Sequence, residues 1–201
     1  HLIAHGHQRI AFLGRRANPD IRERLEGYKD ALAAAGLALD PQLVFDLDND
    51  QELGGQEAAR RLLALGVSCT AVAGGTDMLA IGLIEAMRRA GYRCPDDLAV
   101  VGFDDMPWAR TSDPPLTTVK QRFEAIGARA FEELADLIGG KSPPSEPIYV
   151  STMLIARRSC GCEGQAAQST QICPEQIAAR LRRLQPPGAR HRQKRRPRNR
   201  H

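Results

Sequence analysis

Aromatic residues are scarce, making up 4% of the 201-residue chain, so few rings are available to stack on a ligand. No apolar run approaches the ~20 residues that a membrane helix needs, and no membrane partner is expected. Cysteines number five, an odd count in a chain long enough to bury a core without crosslinks. That usage favours reduced thiols in the cytoplasm over a secreted disulfide framework. The stretch from Arg182 to the end lacks any acid but carries nine basic residues. Those nine account for the whole formal excess of +4: over 1–181 there remain 19 basic and 24 acidic residues, a net of −5. A positive total thus conceals a mildly acidic body. Motifs of several enzyme classes are also missing. There is no G-x-G-x-x-G, no G-x-S-x-G and no H-E-x-x-H, so nothing points to dinucleotide, nucleophile-elbow or zinc-protease chemistry.

Short apolar runs alternate with longer amphipathic ones over the first 160 residues. Strands are expected at Arg9–Leu13, Val44–Leu47, Thr70–Ala73, Leu98–Phe103 and within Ile148–Ile155. Helices are expected over 21–35, 55–65, 77–90 and 123–138, each followed by Gly. This order predicts an α/β fold with a parallel, doubly wound sheet. Ligands of such sheets sit outside the carboxyl ends of the strands. The candidate positions are therefore Arg15–Arg24, Gly74–Asp77, Phe103–Asp105 and Lys120–Gln121. Beyond Cys162 the pattern decays into a polar linker, a possible helix over 174–184 with Pro at its start, and a tail over 185–201 whose composition reads as disordered.

Three clusters invite chemistry and have simpler readings. GGKS at 139–142 has the outline of a phosphate loop, but Ala135 stands where that loop needs Gly, and a helix precedes it. His1, His5 and His7 lack a carboxylate or a zinc motif, so a helix end with a Gly turn accounts for them. Cys160-Gly161-Cys162 lacks the paired spacing of zinc sites and reads as ordinary thiols. No metal and no cofactor are expected. Asp104-Asp105 follows a buried strand, where adjacent side chains diverge, so the two are a poor acid–base pair. An ionised Asp can instead accept from ligand hydroxyls, and the guanidinium of Arg24 can fork onto oxygen pairs. Together they suit a polyol or sugar pocket. A solvated Arg and a helix-capping Asp explain the same pattern.

The stretches HLIAHGHQRIAFLG (1–14), RERLEGYKDALAAAGL (22–37), GGTDMLAIGLIEAMRRAGYRCPDDLAVVGFDD (74–105) and DPPLTTVKQRFEAIGARA (113–130) occur in the order and at the spacing of one family. Together they resemble the effector-binding domain of lac-repressor/galactose-repressor (LacI/GalR) transcriptional regulators, a fold similar to periplasmic sugar-binding proteins. The resemblance covers roughly residues 1–158. It implies two α/β lobes joined by three crossovers, with the effector in the cleft between them. Residues 1–118 would form the C-terminal lobe, 119–159 a crossover helix and returning strand, 160–184 a linker, and 185–201 the basic tail. Most of the N-terminal lobe and the DNA-binding helix-turn-helix would lie outside this chain, which is expected to be N-terminally incomplete.

Carried over by position, Arg24 would grip effector hydroxyls, Asp104 would accept from them and Gln121 would line the cleft. Two positions depart from the family pattern. Thr76-Asp77 replaces an Asn-Asp pair, keeping a hydroxyl but losing an amide. Asp50 stands where an aromatic stacking residue is common, with Phe45 the nearest ring, so the effector is expected to be more polar than a simple hexose. The resemblance implies a non-enzymatic protein that senses a small sugar-like or polar molecule, contacts DNA through the helix-turn-helix and forms a homodimer when intact. A sensor coupled to a cyclase or kinase, or an exported sugar-binding protein, shares the same domain and remains an alternative. The basic tail could serve as a sequence-blind arm on nucleic acid, although an unstructured extension explains it as well.

Overall fold

The computed structural model describes residues 1–162 and the backbone of 170–172; the expected helix over 174–184 and the basic tail lie outside the described residues. Among the described residues there is one sheet with strand order β2-β1-β3-β4-β5-β6-β7. The strands are β1 (Ile10–Gly14), β2 (Val44–Asp46), β3 (Ala71–Gly74), β4 (Ala99–Asp104), β5 (Thr117–Lys120), β6 (Thr152–Ile155) and β7 (Thr170–Ile172). The helices are α1 (Pro19–Ala34), α2 (Glu52–Ala64), α3 (Asp77–Arg89), α4 (Pro107–Thr111) and α5 (Phe123–Ile138). β1 to β5 run parallel, while β6 and β7 add antiparallel edges. The expected α/β parallel sheet is present. Its order reverses between β1 and β3, so a crevice opens at their carboxyl ends.

Strand alternation divides the core between two faces. Ala11, Leu13, Val72 and Val100 meet Leu62, Leu79 and Leu83 of α2 and α3. On the other side Phe12 packs against Ile21 and Leu25 of α1, while Ile10, Ala71 and Ala99 meet Leu2, Leu32 and Cys160. Elements beyond the expected strands and helices are also present. β5 is short and threonine-rich, yet Thr117 and Thr118 are buried because each hydroxyl has a partner. α4 is a brief turn of helix with Pro at its start. The expected final strand is shorter, beginning at Thr152, and β7 stands where a linker is expected.

α2 and α3 approach so closely that glycine is required between them. A Cβ on Gly55 would overlap the Leu79 carbonyl oxygen and the Leu83 nitrogen, and one on Gly82 would overlap backbone atoms of Glu52. Helix propensity alone would make Gly→Ala favourable by about 1 kcal/mol; overpacking costs about 1–3 kcal/mol or more. The Gly55→Ala variant is therefore expected to be less stable by urea denaturation, with Gly82→Ala behaving alike, and a gain in stability would contradict this packing.

α5 differs from the other long helices in having no buried residue. Phe123, Ile126, Phe131, Leu134 and Ile138 keep an apolar stripe exposed, with Phe131 at 72% and Ile138 at 80%. The helix ends in Gly139-Gly140, so GGKS closes a helix instead of opening one. Exposed stripes of this kind promote association. The chain is expected to be oligomeric in light scattering, with Phe131→Glu shifting it toward monomer; a monodisperse wild-type monomer would count against this.

Candidate effector site at the strand ends

The carboxyl ends of β1, β3, β4 and β5 bring together residues far apart in sequence. Arg24 projects from the second turn of α1, and its guanidinium donates to the Gly75 carbonyl oxygen after β3. It also pairs with Asp20 at 3.1 Å and lies 3.6 Å from Asp104 Oδ1. Its Cζ lies over the ring of Phe103, 3.8 Å from the centroid, a cation–π contact. Gln121, just beyond β5, donates from Nε2 to Asp104 Oδ1 at 2.7 Å. Arg24, Asp104 and Gln121 therefore form one connected polar group. Their setting is half-dry: side-chain exposure is 16% for Arg24 and 21% for Asp104. Burial raises the Asp104 carboxyl above its ordinary value, against the opposing pull of Gln121 and Arg24. A partly dehydrated carboxylate of this kind gains from a hydroxyl that donates to it.

The direction of Asp104 follows from the backbone. Asp104 and Asp105 both have positive φ, 119° and 54°, a region that side-chain-bearing residues occupy at a cost. The turn separates the two carboxylates, as expected for neighbours leaving a strand. Asp104 faces Arg24 and Gln121. Asp105 faces Arg157, 2.5 Å from its Nη2, and Arg110 at 3.5 Å. The turn is anchored by Asp77 at the start of α3, whose side chain is wholly buried. Asp77 accepts from the Thr118 hydroxyl at 2.5 Å and from the Met106 N–H at 2.7 Å.

Thr76 and Asp50 hold the neighbouring loops. The Thr76 hydroxyl donates to the Asp50 carbonyl oxygen at 2.8 Å and accepts from the Leu79 N–H at 3.2 Å, an N-cap of α3. The Asp50 carboxylate accepts from the Arg15 N–H at 2.9 Å and from Asn18 Nδ2. Both residues therefore join the strand-end loops, through bonds to protein partners. Phe45, the nearest ring to Asp50 by sequence, is buried under Arg61. Asp20 and Phe103 fall within the candidate ranges, but sequence gives neither a role of its own. Asp20 had a usable signal in its i,i+4 spacing from Arg24, whereas Phe103 reads as an ordinary strand residue. A cavity of about 360 Å3 on the α3–α4 flank, lined by Glu52, Ile81 and Trp108 among others, contains none of these side chains.

A model of the periplasmic binding protein-like domain matches residues 1–160. The chain belongs to that family. Its domain corresponds to the effector-binding region of LacI/GalR transcriptional regulators. The transcriptional regulator MalR of Streptomyces coelicolor is 36% identical over 171 residues, covering 82% of this chain and 49% of the relative. The solved structure of a transcriptional regulator CelR–cellobiose complex superposes with a TM-score of 0.71 at 35% identity, covering 79% of this chain and 48% of that one. A sugar-binding LacI-family regulator of Escherichia coli, solved with phosphate, gives a TM-score of 0.71 at 35% identity, covering 79% and 56%. The chain spans about half the length of the curated relatives it matches. Among the described residues no helix is long and apolar enough to cross a membrane.

Burial of Asp77 has a measurable consequence for this domain. Desolvation lifts its carboxyl from the ordinary 3.8 to about 6, with the Asp104 and Asp105 charges adding to the rise and the bonds from Thr118 and Met106 opposing it. The folded form then holds the proton more tightly than the unfolded chain. The resulting contribution is complete below about pH 4 and is lost as pH rises through about 6, on the order of 3 kcal/mol. Asp77→Asn is expected to flatten this part of the stability-versus-pH curve measured by denaturant melts; an unchanged slope would contradict it.

Proposed function

We propose that this domain senses a small hydroxylated effector at the strand-end group of Arg24, Asp104 and Gln121, in a cleft completed by a second lobe. The carrying observation is the connected arrangement itself: a cation over Phe103, a half-buried carboxylate and an amide converge from α1, β4 and the end of β5. Such a set offers donors and acceptors in the alternating manner that a diol presents. The sugar complex of CelR supports a sugar-like ligand class. The carboxylate at Asp50, where stacking would otherwise be sought, favours a more polar member of that class.

Effector binding would act by differential affinity for two lobe arrangements. In the intact protein this would change operator affinity of a helix-turn-helix in a homodimer. The reading is non-enzymatic: the polar groups at the strand ends bind and orient, and no group among them is set as a nucleophile with a base. The intact regulator would work in the cytoplasm, where its operator is.

A thermal-shift screen of sugars, polyols and nucleobases on the protein carrying both lobes should give a stabilising ligand. Hydrogen bonds to charged groups contribute about 1.5–3 kcal/mol, so Arg24→Ala and Asp104→Ala should each weaken that ligand at least tenfold in calorimetry. Because the acceptor must be ionised and its carboxyl is raised, affinity should also fall on acidification. Full affinity in either variant would remove these residues from the site.

A further inference from the structure

We propose that His1, His5 and Cys162 form a site for a thiophilic divalent cation of the zinc type. Each half of the set is unremarkable in sequence, and the fold brings the halves together. The ligand atoms of His1, His5 and Cys162 all lie within 4.8 Å of one another. Cys162 Sγ is 3.7 Å from His1 Nε2 and 3.5 Å from His5 Nε2. Cys160 Sγ lies 3.2 Å from His1 Nε2 but outside the three-donor group, where it accepts from the Thr117 hydroxyl at 3.0 Å. Tetrahedral zinc with Zn–S of about 2.3 Å and Zn–N of about 2.0–2.1 Å has a nitrogen–sulfur edge of roughly 3.6 Å. The observed separations bracket that edge.

Both halves are built to hold this geometry. His1 and His5 stand one helical turn apart, with the His5 N–H donating to the His1 carbonyl oxygen at 3.1 Å. Gly6 at φ +89° ends the turn, and the His7 N–H returns to the Leu2 carbonyl oxygen at 3.2 Å. The two rings thus share a face, with centroids 4.5 Å apart. The cysteines flank Gly161, which turns the chain at φ +88°. Buried Ser159 fixes that turn to the sheet, donating to the Val100 carbonyl oxygen at 2.6 Å and accepting from the Thr117 N–H at 2.8 Å. One thiolate and two imidazoles select zinc-like cations over magnesium or calcium. Three protein donors leave the fourth tetrahedral position to a water. Binding would release the Cys162 thiol proton to solvent and clamp the first turn of the domain to the segment that follows β6.

The test uses the full chain, metal-free and kept reduced. Titration with Co2+ should produce the visible bands of a tetrahedral ion and a near-ultraviolet thiolate-to-cobalt charge-transfer band, and Zn2+ should abolish both by displacement. His5→Ala and Cys162→Ser, each at an exposed or half-buried position, should weaken Co2+ binding at least tenfold with circular dichroism unchanged. Cys69→Ser should bind as the wild type does. Zn2+ should raise the thermal midpoint of the wild type and not of His5→Ala, while Mg2+ should raise neither. Absence of the charge-transfer band in the wild type, or its persistence at full strength in Cys162→Ser, would overturn the proposal.

Discussion

The orientation of the strand-end group depends on the carboxylate of Asp77. It lies out of water at the start of α3, and two donors meet it from different elements: the Thr118 hydroxyl of β5 and the Met106 N–H beyond β4. Burying a carboxylate without such partners costs several kcal/mol; with them it becomes a rivet between a helix, a strand and a loop. Gly102 leaves it room, since a Cβ there would overlap Asp77 Oδ1. The loop so anchored is the one in which Asp104 and Asp105 take positive φ and diverge. One carboxylate is delivered to Arg24 and Gln121, the other to Arg157.

The strand ends show a division of labour. Polar groups of Thr76 and Asp50 satisfy the backbone where β1, β2 and β3 give way to loops, and the α3 N-terminus is capped in the process. Spare capacity lies on the β4–β5 side, where both contacts to the Asp104 carboxylate use Oδ1 and leave its second oxygen. Specificity in this domain would then come from a few rigidly supported side chains at a sheet edge, with the loops acting as their frame. The effect resembles preorganisation in binding sites generally: ordering is done before the ligand arrives.

How much of this could be read from sequence follows from where the determining contacts lie. β1, β3 and β4 are dense apolar runs, and α1 to α3 carry periodic apolar faces ended by glycine, so local rules located them to within a few residues. β5 escaped because Thr117 and Thr118 look like surface residues; their burial depends on Asp77 and Arg157, far away in the chain. Arg24 and Asp104 are candidates by their chemistry at strand exits and by the family resemblance, but their connection through Gln121 and Phe103 is tertiary. The approach of His1 and His5 to Cys160 and Cys162 spans almost the whole domain, and neither spacing motif alone announces it.

The central claim is that a ligand's hydroxyls are held between Arg24 and Asp104 at the strand ends. A crystal structure of the two-lobe protein with its stabilising ligand measures this directly. Ligand oxygens are expected within hydrogen-bonding distance of the Arg24 guanidinium and of an Asp104 carboxylate oxygen, with Phe103 still beneath the arginine. A ligand seated elsewhere, such as in the cavity on the α3–α4 flank, with Arg24 and Asp104 contacting only each other and protein groups, would contradict it.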